Sequence, residues 1–136
     1  MMPDILSGLK ARTDALYPEY VFPVLATIRI GDDPGAADFE QILLEAARAA
    51  GVRVRRYLFP AGVTAAEIEG LLRQAGADFL LSAILLERPL PADWDAAALD
   101  AQIPAAKRLS QPADGSAASA AALLEAVIDA AERSAR

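Results

Sequence analysis

The sequence predicts an α/β domain of three layers, in which helices flank a small, mainly parallel sheet and a long helix closes the C-terminal end. Apolar runs of strand length recur at residues 22–30, 52–59 and 79–86. Stretches with helical periodicity and helix-start residues separate them. Strand, helix, strand, helix, strand in that order implies parallel pairing through right-handed crossovers.

The elements follow in chain order. Residues 4–16 read as a first helix. Residues 22–30 are apolar, partly β-branched and end at Gly31, as a buried strand does. Asp33 can accept from the free N–H groups of a first helical turn and Pro34 suits its first position, so a helix begins here and ends at Gly51. Phe39, Ile42, Leu43, Ala46 and Ala50 recur on it at three- and four-residue spacing, which gives one apolar face. Residues 52–59 form the next strand, and Pro60-Ala61-Gly62 turns the chain. Thr64 and Glu67 then have the spacing of a capping box ahead of Ile68, Leu71 and Leu72. Residues 79–86, bounded by Gly76 and Pro89, are too short for a typical helix and read as the third strand. A short helix is expected at residues 94–99, irregular chain at 103–114 and a connector at 111–116. An Ala-rich helix over residues 117–134 carries the apolar stripe Leu123, Leu124, Val127, Ile128 and Ala131, which must pack on something. One domain over residues 1–136, with a core at 1–110, accommodates all of this.

Composition narrows the function. The chain has no Cys and no His, which removes disulfides, thiolate and imidazole metal sites and every nucleophile-plus-imidazole mechanism; no metal site is expected. A net charge of -6 and a pI near 4.6 argue against nucleic acid as partner. Arg53, Arg55 and Arg56 are the basic cluster; alternation with Val52 and Val54 reads as the solvent face or end of a strand, with an anion contact as the alternative. No apolar run approaches the roughly 18 residues of a membrane span, and the first residues lack the basic start and apolar stretch of a secretory signal. A cytoplasmic protein without a membrane partner is therefore expected.

Two segments carry a family resemblance: residues 23–34, Pro-Val-Leu-Ala-Thr-Ile-Arg-Ile-Gly-Asp-Asp-Pro, and residues 83–91, Ala-Ile-Leu-Leu-Glu-Arg-Pro-Leu-Pro. They resemble the "P-x-L-A-x-I-x-V-G-D-(D/N)-P-A-S" and "G-I-L-V-Q-L-P-L-P" signatures of bifunctional methylenetetrahydrofolate dehydrogenase/methenyltetrahydrofolate cyclohydrolases. Both fit in one register, and the family pattern can be laid over residues 22–110 without a gap. The resemblance implies a folate pocket on an α/β domain, with NAD(P) held by a separate Rossmann domain inserted later in the chain. These residues contain no Gly-rich strand-to-helix turn of the dinucleotide type, so no NAD(P) is expected here. Residues 114–128 weakly resemble the segment by which the family's chain returns from that domain, as if the cofactor domain had been cut out and its flanks joined by the connector.

The resemblance also assigns the site. The family has a Tyr and a Lys four residues apart on the helix after "G-D-D-P"; here they are Phe39 and Leu43. The family Lys is thought to assist proton transfer and ring opening, and Leu has no proton to move. The Gln of "V-Q-L-P-L-P" is Glu87, whose carboxylate lacks the donor half of an amide unless protonated. In "P-x-K-D-V-D-G" the Lys survives as Lys107, while the first Asp, which in the family sits near the pterin, becomes Arg108. Ligand-binding residues on this reading are Phe39, Leu43, Glu87, Pro89, Leu90, Pro91 and Arg108, grouped where the strands end and the helix at Pro34 begins. Glu87 is the one candidate acid or base. The resemblance implies a truncated, non-catalytic homologue that binds a tetrahydrofolate derivative or a protein partner in one-carbon metabolism. Alternatives are an active one-carbon folate enzyme that uses Glu87, a subunit completing a separate nucleotide-binding chain, and a collapsed pocket in which Phe39 and Leu43 are only core.

Overall fold

The structure is a computed structural model and describes residues 2–135. Its elements are α1 (Met2–Leu16), β1 (Val24–Ile30), α2 (Pro34–Ala50), β2 (Arg53–Phe59), α3 (Ala65–Ala77), β3 (Ala83–Leu86), α4 (Ala96–Asp100), β4 (Arg108–Leu109) and α5 (Ala117–Ser134), with a 3₁₀ turn at Tyr17–Glu19. Four strands pair in the order β2-β1-β3-β4, all parallel. This is the α/β, three-layer arrangement expected. No helix among the described residues is long and apolar enough to cross a membrane.

Two apolar clusters cover the two faces of the sheet. On one, Leu25 and Leu85 meet Leu9 of α1, Phe39 and Leu43 of α2, and Leu124, Val127 and Ile128 of α5. On the other, Ile28, Ile84 and Leu86 meet Ile68 and Leu72 of α3, with Leu99 and Ile103 beyond. The period-two alternation of strand side chains explains the split, since Leu25 and Ile28 leave β1 on opposite sides. Polar contacts tie the first layer together: Thr13 Oγ1 donates to the Ala50 carbonyl at 2.9 Å, and Arg12 pairs with Glu125, Asp129 and Glu132 of α5.

Local signals start and stop the helices. Asp33 caps α2 by accepting from Ala36 N, and Gly51 ends it in the left-handed region at φ 78°. A side chain at Gly51 would also collide with Lys10, whose Cδ would lie 2.9 Å from the added carbon. The capping box of Thr64 and Glu67 is complete on α3, and Ser116 caps α5 by accepting from Ser119 N.

Several boundaries differ from expectation. The third strand is Ala83–Leu86, not residues 79–86. Asp78 closes α3 and its Oδ1 accepts from Leu80 N, so residues 78–81 turn and leave Phe79 and Leu80 in solvent. The first strand begins at Val24, two residues later than expected, and Arg53 rather than Val52 opens the second, because Val52 N still bonds the Ala47 carbonyl. α4 starts at Ala96, since Asp95 accepts from Ala98 N and so marks the first turn. α1 begins at Met2, two residues earlier than expected. The stretch at 103–114 is not wholly irregular, for Arg108 and Leu109 pair with Ile84 and Leu85 as the border strand.

Candidate functional site

The C-terminal ends of the strands carry an unusual collection of charge. Thr27 of β1 sits opposite Arg56 of β2 and Leu85 of β3 in the ladder. Alternation therefore places Thr27, Arg29, Arg56, Leu85 and Glu87 on the face covered by α2. Glu87 follows β3 directly and continues its pairing, its N–H donating to the Ile28 carbonyl at 2.9 Å. From above, α2 lowers Glu40 onto the same spot. Arg56 Nε donates to Glu40 Oε1, and an Arg29 guanidinium nitrogen lies 3.5 Å from Glu40 Oε2.

Both carboxyl groups are buried, each with 1% of its surface exposed. Burial pushes the Glu87 carboxyl up to about 9, and the neighbouring Glu40 reinforces the shift against the opposing pull of Arg29 and Arg56. Burial alone would raise Glu40 too, but its contact with Glu87 and the two arginines outweighs that and lowers it. The opposite directions describe one proton held by Glu87 beside an ionised Glu40. If both were ionised, neither Glu87 oxygen nor Glu40 Oε2 would have a hydrogen-bond partner; a proton on Glu87 supplies the missing donor. Thr27 Oγ1, buried on the same face, has no partner within the described residues.

The residues expected to form the site are only partly brought together. Phe39 and Leu43 flank Glu40 on α2 and lie in the core between the sheet and α5, with Leu43 1% exposed and Phe39 beside Gly115. Glu87 thus lies under the same helix as both. Leu90 packs instead against the cluster on the opposite face, and Pro89, joined to Arg88 by a cis peptide, and Pro91 belong to the segment leaving β3. Arg108 donates through Nε and a terminal nitrogen to the Ile103 carbonyl, at 3.2 and 2.7 Å. It lines a cleft of about 200 Å³ with Leu86, Arg88, Asp100, Ser110 and Gln111. Arg88 pairs with Asp100 at 2.6 Å, not with Glu87.

Sequence reasoning passed over Thr27, Arg29 and Glu40. It met Arg56 only as a member of the basic cluster, where the anion contact weighed as the alternative is the one Arg56 makes with Glu40. The readable signal was Glu40, which falls in the buried series Ala36, Glu40, Leu43, Ala47 at helical spacing. A carboxylate inside an apolar stripe needs a cation, and the alternating Arg29 and Arg56 are in reach.

Residues 1–108 match the family described as tetrahydrofolate dehydrogenase/cyclohydrolase, catalytic domain. The bifunctional protein FolD of Sphingopyxis alaskensis is 36% identical over 102 residues, covering 71% of this chain and 34% of its own. That of Aromatoleum aromaticum is 32% identical over 107 residues, 79% of this chain and 36% of its own. Among solved structures, the Campylobacter jejuni FolD enzyme superposes with a TM-score of 0.76 at 22% identity, over 79% of this chain and 38% of that one. The Trypanosoma brucei enzyme, complexed with NADP cofactor and inhibitor, gives 0.74 at 25% identity, over 78% and 36%. The chain thus spans about a third of the length of the curated relatives it matches.

Proposed function

Because this chain belongs to the tetrahydrofolate dehydrogenase/cyclohydrolase catalytic-domain family, we propose that it is a non-catalytic member that binds a tetrahydrofolate derivative without processing it. The observation that carries this reading is Leu43. The group the family resemblance assigns to proton transfer is here an alkyl side chain packed under α5. Recognition is a different matter. A protonated Glu87 has one donor and one acceptor, as the amide of the family's Gln does; the donor is committed to Glu40, and the second oxygen is the acceptor left for a ligand. A protein partner in one-carbon metabolism is the alternative occupant on the same reading.

Calorimetric titration with tetrahydrofolate and its methylene and methenyl forms tests the proposal. Saturable binding is expected, together with hydrolysis of the methenyl form no faster than in buffer and no reduction of NADP by the methylene form with these 136 residues. Glu87→Gln should keep the affinity within a few-fold, whereas Glu87→Leu should lose it. Absence of binding to all three forms refutes the reading.

One observation favours a second reading, an active one-carbon folate enzyme of altered mechanism. Glu87 holds a proton at neutral pH beside the ionised Glu40, an arrangement able to deliver a proton to a ligand. Hydrolysis of the methenyl form well above the uncatalysed rate, abolished by Glu87→Gln, would establish it.

A further inference from the structure

The opposite end of the sheet holds a cleft that the folate reading does not use. We infer that this cleft, between the 17–22 segment, the start of β2 and the turn at 78–82, is a second binding site for a small molecule with a flat apolar body and an anionic head.

Its volume is about 560 Å³, within the range of small-molecule sites, and its walls are mainly apolar. Val24 and Arg53, the first residues of β1 and β2, form its floor, which places it at the strand starts and away from Glu87. Three of the six large hydrophobic side chains exposed among the described residues line it: Tyr20 at 86%, Phe79 at 90% and Leu80. Phe79 and Leu80 are the residues that read as strand in the sequence and that the fold instead turns outward. Tyr20 is held there at φ 57°, a left-handed conformation that a bulky residue adopts only under constraint. Exposed apolar groups gathered in one concavity mark contact surface rather than unfinished core.

The polar groups specify the head. Arg53 lies 4.7 Å over the Phe22 ring and has no ion-pair partner among the described residues, although the chain as a whole carries a charge of -6. Its guanidinium is therefore fixed by the ring and free to meet an anion. Arg55 adds a second positive charge, partly offset by Asp78 at 3.4 Å. Ser82 Oγ accepts from Val24 N at 3.1 Å and keeps its own proton to donate. A planar apolar group between Tyr20, Phe79 and Leu80, with a carboxylate or sulfonate on Arg53, satisfies each of these features.

The test uses 8-anilinonaphthalene-1-sulfonate as probe, followed by fluorescence and by amide shifts in NMR spectra. One saturable site per chain is expected, with the Val54 and Ser82 amides shifted and those of Glu40 and Glu87 unmoved. Arg53→Ala and Phe79→Ala, both at exposed positions, should each weaken binding at least tenfold with unchanged thermal melting. The uncharged N-phenyl-1-naphthylamine should bind at least tenfold more weakly than the sulfonate. Saturating tetrahydrofolate should not compete, so this result stands whether or not the folate reading does. The inference is overturned by unsaturable binding, by indifference to Arg53→Ala, by competition from tetrahydrofolate, or by light scattering that shows the cleft buried in a dimer that Phe79→Ser dissociates.

Discussion

The proton on Glu87 links folding to pH. In the unfolded chain this carboxyl ionises near its ordinary value of 4.5, whereas in the folded protein burial holds it to about 9. Across that window the folded state binds one proton more than the unfolded state, so stability falls as pH rises. Glu40 acts the other way: its lowered value contributes stability that is lost as pH falls through the acid range. Urea unfolding of the wild type should therefore show a decline in stability from about pH 5 to about pH 9. Glu87→Gln should remove that decline, so the variant's advantage should widen with pH; a constant difference would mean that Glu87 is ionised in the fold. Leu43→Lys, which restores the family's residue, should cost about 3 kcal/mol or more because it puts an ammonium into the layer under α5, and it should revive no cyclohydrolase activity. Chemical denaturation and a methenyltetrahydrofolate assay check the two halves. Position by position, the family signatures made Leu43 and Glu87 legible, because a pattern shows what has been replaced. They could not show Glu40, whose partners Arg29 and Arg56 come from the strands on either side of its helix and meet it only once the β1-α2-β2 crossover has formed.

Helices were the most readable elements, since their start signals are local. Asp33, Thr64 and Ser116 each accept from the N–H three residues on, and each sits where a short polar residue precedes a periodic apolar run. Strand limits were less readable. The run at residues 79–86 is apolar throughout, and hydrophobicity alone cannot tell that Asp78 will bend the chain and expose its first two members. β4 offered no periodicity at all, being two residues that are strand only because Ile84 and Leu85 are beside them. The stripe on α5 did announce a helix that must be covered, and the structure covers it with α1, α2 and the sheet. Leu124 is wholly buried in that stripe, so Leu124→Ala should destabilise the protein by about 2–5 kcal/mol through the cavity it leaves. A loss below about 1 kcal/mol in urea unfolding would mean that α5 is a loose appendage rather than a structural layer.

At the level of the whole molecule, two cores share one sheet, and neither can lose its strands without exposing the other. Trp94 packs against the α3 side, whereas α1, α2 and α5, the longest helices, lie on the opposite side. Tryptophan fluorescence and far-UV circular dichroism therefore report on different layers. Their urea transitions should coincide, and separation of the midpoints would show that the layers unfold independently. The sequence conveyed the parallel sense of the sheet through its crossovers but not the order β2-β1-β3-β4, which depends on which side of β1 each crossover lands. That order leaves β2 on the border, its outer N–H and C=O groups facing no strand among the described residues. An open border of this kind is a template on which a foreign strand can grow. Of the three arginines along it, Arg56 is committed to the buried Glu40 and Arg55 faces Asp78, so Arg53 is the one without an ion-pair partner among the described residues. A second copy laid edge to edge would add its own Arg53 to the margin, so like charge opposes extension of the sheet by its own kind.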